Sequence, residues 1–131
     1  MTIATAVAGL NTALDTIAEL TVHSDPPEFL TVFPCSLCYL ESGEMSVVSG
    51  GLDSSLHVLN VDIVLGENDL PTVVNGAKSW PEAVLAILKA DPTLGGTISH
   101  IVYPVRYQVG SLEYGVSEHY GVHFRVTIKM Q

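Results

Sequence analysis

Two cysteines and five histidines are the side chains with the widest chemical range in this chain. Cys35 and Cys38 stand in FPCSLCYLESGEM with the spacing C-x-x-C, a spacing used by zinc sites and by thiol–disulfide exchange. A structural zinc site needs four ligands, a second C-x-x-C pair is absent, and the histidines that could complete the set are scattered. A redox pair would open a helix, whereas LCYLE continues as a strand. In a strand an odd offset sends two side chains to opposite faces. The spacing therefore predicts two structural thiols. His119 and His123 form H-x-x-x-H, which on a helix could hold one ion. On a strand the pair is about 13 Å apart, too far to share one. The same alternation sets both histidines on one face with Arg125 and Lys129, and Arg106 lies on the preceding strand. Arg106, His119, His123, Arg125 and Lys129 are the candidate subunit or partner interface, where an acidic patch of a neighbouring copy would dock.

The remaining chemistry is sparse. Asp53, Asp62, Glu67 and Asp69 could hold a divalent cation loosely, at no spacing that matches a cation-binding loop. LGGT at 94–97 has its glycines after a helix, the wrong polarity for a phosphate at a helix N-terminus, and reads as a chain reversal. No nucleophile elbow, phosphate loop or dinucleotide fingerprint is present. No catalytic residue, cofactor or metal ligand is assigned.

The elements that must position these residues read as follows. Residues 2–20 carry one apolar stripe, Ile3, Val7, Leu10, Leu14 and Ile17, with Asn11, Asp15 and Glu19 off it: an amphipathic helix ended by HSDPP. Residues 29–40 alternate, with Phe29, Thr31, Phe33, Cys35, Leu37 and Tyr39 on one strand face. After a turn at 49–53, residues 54–65 form the returning strand, with Leu59, Val61, Ile63 and Leu65 opposite Asn60 and Asp62. Residues 66–71 form a loop and a helical turn begins at Asp69, broken at Asn75–Gly76. SWPE at 79–82 predicts a capping box and a helix to Ala90 that buries Trp80, Val84, Ile87 and Leu88. A strand at 98–109, a long connection through 110–115 and an alternating last strand close the chain. Tyr120, Val122, Phe124, Val126, Ile128 and Met130 form its apolar face. The expected fold is a single α+β domain over residues 1–131, ordered helix–hairpin–helix–hairpin, with the helices packed on a mostly antiparallel sheet.

Composition narrows the function. The chain has 131 residues, 47% of them hydrophobic and only 15% charged, too few charges to coat a lone small domain and a pointer to subunit contacts. A net charge of −9 argues against a neutralising grip on nucleic acid phosphates. No apolar run approaches the length of about 18 residues that suggests a membrane span. The opening MTIATAVAGL has no basic stretch of a signal peptide, and two cysteines suit a reducing compartment.

Three stretches carry a resemblance: FPCSLCYLESGE, a strand that opens on Phe-Pro and closes on Tyr-Leu; KADPTLGGTISHI, a helix end running through Leu-Gly-Gly into a strand; and YGVHFRVTIKM, the alternating last strand. With their order and length, the chain resembles the tail terminator, or tail completion, proteins of long-tailed, lambda-like phages. Asn75–Gly76 and Pro81 interrupt a region where that family often has a longer helix. The resemblance implies a non-enzymatic virion structural protein, in the host cytoplasm during assembly and in the virion at the head-proximal end of the tail. It implies a homo-oligomeric, usually hexameric, ring bound to the tail tube protein and to a head-side connector protein. DNA passes through the lumen without specific binding. One alternative is a head-completion or neck protein, a head–tail connector. An alternative of another class is a small cytosolic enzyme that uses Cys35, Cys38 or a histidine.

Overall fold

The computed structural model describes residues 2–48, 52–66, 70–115 and 117–130. The elements run α1 (Ile3–Leu14), β1 (Thr21–His23), β2 (Cys35–Val48), β3 (Leu52–Gly66), α2 (Leu70–Ala77), α3 (Trp80–Ala90), β4 (His100–Tyr114) and β5 (Ser117–Met130). The strands form one sheet in the order β1-β2-β3-β5-β4, with β1 parallel to β2 and every other pair antiparallel. Among the described residues, no helix is long and apolar enough to cross a membrane.

The helix–hairpin–helix–hairpin layer is thereby corrected to a strand-dominated mixed sheet. Four strands of 14 or 15 residues outweigh helices of 12, 8 and 11 residues. The two hairpins are not separate units, because β3 of the first pairs with β5 of the second along most of its length. A further strand, β1, lies where the sequence suggested only a helix end. The second helical region is two helices, split at Lys78–Ser79.

Local chemistry explains the shifted boundaries. Thr2 and Thr5 cap α1 reciprocally, each backbone N–H donating to the other's hydroxyl at 3.1 Å, a capping box without a carboxylate. The apolar stripe continues to Ile17, yet the helix stops at Leu14. There the N–H groups of Thr16 and Ile17 turn to the carbonyls of Ala13 and Leu14, and the Thr16 hydroxyl also donates to Ala13 at 2.6 Å. Such tightened bonds close a helix end. Residues 29–34 are not strand. Pro34 has no N–H for a ladder, and β2 begins one residue later. Phe29, expected on a strand face, is 64% exposed, and Leu30 is buried instead. The capping box expected at Ser79 and Glu82 does not form; the Ser79 hydroxyl donates back to the Gly76 carbonyl at 3.2 Å. Residues 110–114, expected as a connection, extend β4. The turn expected at 49–53 and the loop and helical turn expected at 66–71 fall largely on residues outside the described set.

One face of the sheet is the core face. Leu59, Val61 and Ile63 of β3 pair across with Val126, Phe124 and Val122 of β5. They share one apolar cluster with Ala6, Leu10 and Leu14 of α1 and Trp80, Val84 and Leu88 of α3. Gly9 lets α1 approach the loop after α3, since a Cβ there would lie 2.6 Å from the Leu94 carbonyl oxygen. In that loop Gly95 and Gly96 adopt φ of 70° and 81°, and the Gly95 N–H donates to the Asp91 carboxylate at 2.9 Å. This is the chain reversal that LGGT suggests.

Phe124 is 1% exposed and its ring centroid lies 6.1 Å from that of Tyr107. Phe124→Ala is expected to cost about 3–5 kcal/mol of stability, measured by urea unfolding. A loss below about 1 kcal/mol would place Phe124 outside the core.

Candidate functional site

The sheet's second face is open, and the polar chemistry of the molecule converges on it. The registers set Asp62 opposite His123 and Asn60 opposite Arg125 between β3 and β5, and Gln108 opposite His123 and Arg106 opposite Arg125 between β4 and β5. Tyr39 of β2 lies opposite Asn60. Glu41 sits in a bulge of β2, between Leu40 and Ser42, which swings its carboxylate over the neighbouring strands.

These residues form one network. The Tyr39 hydroxyl donates to Asp62 Oδ2 at 3.1 Å, and His123 Nδ1 meets Asp62 Oδ1. The Asn60 amide donates to Glu41 Oε1 at 3.3 Å, and Arg125 Nη2 donates to Glu41 Oε2 at 2.7 Å. The Arg125 hydrogen bond, with that of Asn60, holds the Glu41 carboxyl below the usual carboxylate range. Burial, reinforced by the Asp62 charge beside it, pushes the Tyr39 phenol up to about 12. A shallow pocket of about 300 Å³ lies beside the network, lined by Arg106, Tyr107, Gln108, His123 and Arg125. Arg106 and Arg125 face each other directly across two strands, a like-charge contact that is unfavourable unless anions offset it. Glu41 offsets Arg125. Among the described residues no carboxylate is paired with Arg106.

The five residues expected at an interface divide. Arg106, His123 and Arg125 come together at the pocket. Lys129 shares the face farther along β5, opposite Leu56 and His100. His119, expected on the same accessible face, is only 4% exposed and is removed from it. Residues 24–34 fold over that end of the face. Leu30, Cys35, Leu37 and Val64 form a second apolar cluster there, and Phe33 packs on His119 with ring centroids 5.6 Å apart. The Tyr114 hydroxyl donates to the Pro27 carbonyl and ties the covering segment down.

Sequence reasoning missed Tyr39, Glu41, Asn60 and Gln108, and weighed Asp62 only as a loose cation ligand. Asn60 and Asp62 already stood out as polar residues alternating with a core run, but joining Asp62 to His123 required the β3–β5 pairing, and joining Asn60 to Glu41 required the bulge in β2.

The thiols separate as the odd spacing requires. Cys35 joins the cluster under residues 24–34, while Cys38 packs against the main core, and both are free. Burial pushes Cys35 up to about 11. Burial, and secondly the Asp62 charge, push Cys38 up to about 12. A thiol is nucleophilic only as thiolate, so neither is activated at neutral pH. Among the described residues no three of His, Cys, Asp and Glu converge on one point. Of the carboxylates considered for a cation, Asp62 is engaged by Tyr39 and His123, and Glu67 and Asp69 lie outside the described residues.

No protein-family model matches the chain, and no curated protein matches it either.

Alkylation tests the thiol assignment. At pH 8 the native protein is expected to react with iodoacetamide at least about a hundredfold more slowly than unfolded protein, because the thiolate fraction is lower and access is restricted. Rapid modification of either cysteine in the folded protein would show an activated thiol.

Proposed function

We propose that the protein is a structural subunit of a long-tailed phage virion, a tail terminator or tail completion protein. Copies form a ring on the head-proximal end of the tail tube, stop its growth and present a surface to the head-side connector. DNA crosses the ring through its centre without specific binding. The resemblance in three stretches of sequence supplies this place in the virion.

One observation supports the ring. The sheet has a long unpaired edge on each side. On one side, among the described residues, β4 pairs only with β5. On the other, β1 covers β2 at three positions, Cys35, Ser36 and Leu37, and leaves 38–48 uncovered. The four long strands alternate in direction, so β4 runs opposite to β2. Copies related by rotation about an axis inclined to the strands can therefore meet β4 to β2 in a staggered antiparallel register. The same head-to-tail contact then repeats and closes when the rotation closes. Both edges expose apolar side chains, Tyr107 and Val109 on β4 and Leu40, Met45 and Val47 on β2, the last two 78% and 86% exposed. Soluble proteins usually blunt such edges, and a partner strand removes the need.

The raised Cys35 and Cys38 thiols weigh against an enzyme that uses either as its nucleophile.

Purified protein mixed with tail tubes that lack a terminator should cap one tube end with a ring visible in negative stain, and the capped tubes should stop growing. Rings that bind DNA-filled heads and ignore tubes would assign the protein to the neck side of the joint. A strict monomer that binds neither would overturn the proposal.

A further inference from the structure

The two free edges are chemically complementary, not merely exposed. Between positions 100 and 112, β4 contains no carboxylate and carries Arg106, whose guanidinium has no acidic partner among the described residues. Between positions 38 and 48, β2 contains no lysine or arginine and carries two carboxylates, Glu41 and Glu44. Glu41 is engaged by Arg125 and Asn60. Glu44 is exposed and has no ion-pair partner among the described residues. A basic edge with one unpaired cation thus stands across the sheet from an acidic edge with one unpaired anion.

The geometry also limits how the edges can meet. On β4 the register is interrupted between Val102 and Arg106, and Pro104 in that interval has no N–H to donate, so regular pairing starts near Arg106. On β2, positions 35–37 are taken by β1. Side-chain direction allows only registers that match faces, since a slip of one residue exchanges them. Arg106 and Gln108 point to the open face, as do Ser42 and Glu44, whereas Tyr107 and Val109 share the core face with Leu40 and Met45.

We infer that β4 of one copy pairs antiparallel with β2 of the next in the register that sets Arg106 against Glu44, which specifies the partner surface of the ring proposed above. In that register Gln108 meets Ser42 on the open face. On the core face Tyr107 lies over Gly43 and Val109 meets Leu40, with Glu41 accommodated as the bulge it already forms. Val105 approaches Met45. The pairing ends before the positions covered by β1. Every contact joins like with like or opposite charges, and the like-charge opposition of Arg106 and Arg125 gains a second anion. A neighbouring copy is the occupant because the matching acidic edge belongs to this same chain.

Charge reversal and exchange test the inference. Arg106→Glu and Glu44→Arg change exposed side chains outside the core, so each variant should keep the wild-type circular dichroism spectrum; Glu44→Arg should keep the wild-type urea midpoint, and Arg106→Glu should match or exceed it because the opposition to Arg125 is relieved. Each should raise the protein concentration needed for half-assembly, by sedimentation velocity or on tube ends, at least about tenfold. The double variant, Arg106→Glu with Glu44→Arg, should return to within about threefold of wild type. As an independent readout, Val109→Cys in one copy and Leu40→Cys in another, mixed under oxidising conditions, should form an intermolecular disulfide. Single reversals that leave assembly unchanged, or a double variant no better than the singles, would overturn this register while leaving the ring intact. Failure of the wild type itself to assemble, alone or on tubes, would remove the ring reading and this inference together.

Discussion

Burial of the β3–β5 pairs, Val61 with Phe124 and Ile63 with Val122, is the interaction on which the molecule rests. These side chains are essentially inaccessible and meet the apolar faces of α1 and α3. Each large side chain sequestered here contributes roughly 1.5–3 kcal/mol. Because side chains alternate, burying the odd positions of β3 and the even positions of β5 sends Asn60, Asp62, His123 and Arg125 to the opposite face. The apolar core thus decides where the polar network lies. It also places β3 and β5 at the centre of the sheet and leaves β2 and β4 toward its margins.

That ordering connects architecture to assembly. A small domain can cover a strand edge with a helix, charge it, or break it with bulges and proline. Here one margin is broken near Pro104 and the other is covered by the three residues of β1. The intervening stretches keep extended backbone, exposed apolar groups and, among the described residues, one unpaired charge each. The open face is differently built. Its polar groups are largely engaged within the chain, Arg125 by Glu41 and His123 by Asp62, which locks the strands together and, among the described residues, leaves Arg106 with bonding capacity to spare.

Much of the local structure was legible in the sequence. The alternation in YGVHFRVTIKM placed Phe124 and its neighbours on the buried face, and the odd spacing of Cys35 and Cys38 separated the thiols. What was not legible depended on contacts distant in sequence. β1 is three residues long and exists because β2 offers an edge for parallel pairing, a signal absent from TVH itself. His119 has the same alternation as His123, yet a segment some ninety positions earlier covers it. The candidate site was half visible. Its cations were grouped on one face by period alone, but the acidic partners on β2 and β3 could be joined to them only once β3 was known to lie beside β5.

Hydrogen–deuterium exchange compared between dilute protein and the ring proposed for it tests the central claim most directly, because edge pairing turns solvent-bonded amides into ladder amides. The account predicts new protection confined mainly to peptides spanning residues 38–48 and 105–113, with little change in the already paired β3 and β5. Assembly that leaves both edge segments exchanging as fast as before, with protection arising instead on the helices, would contradict it.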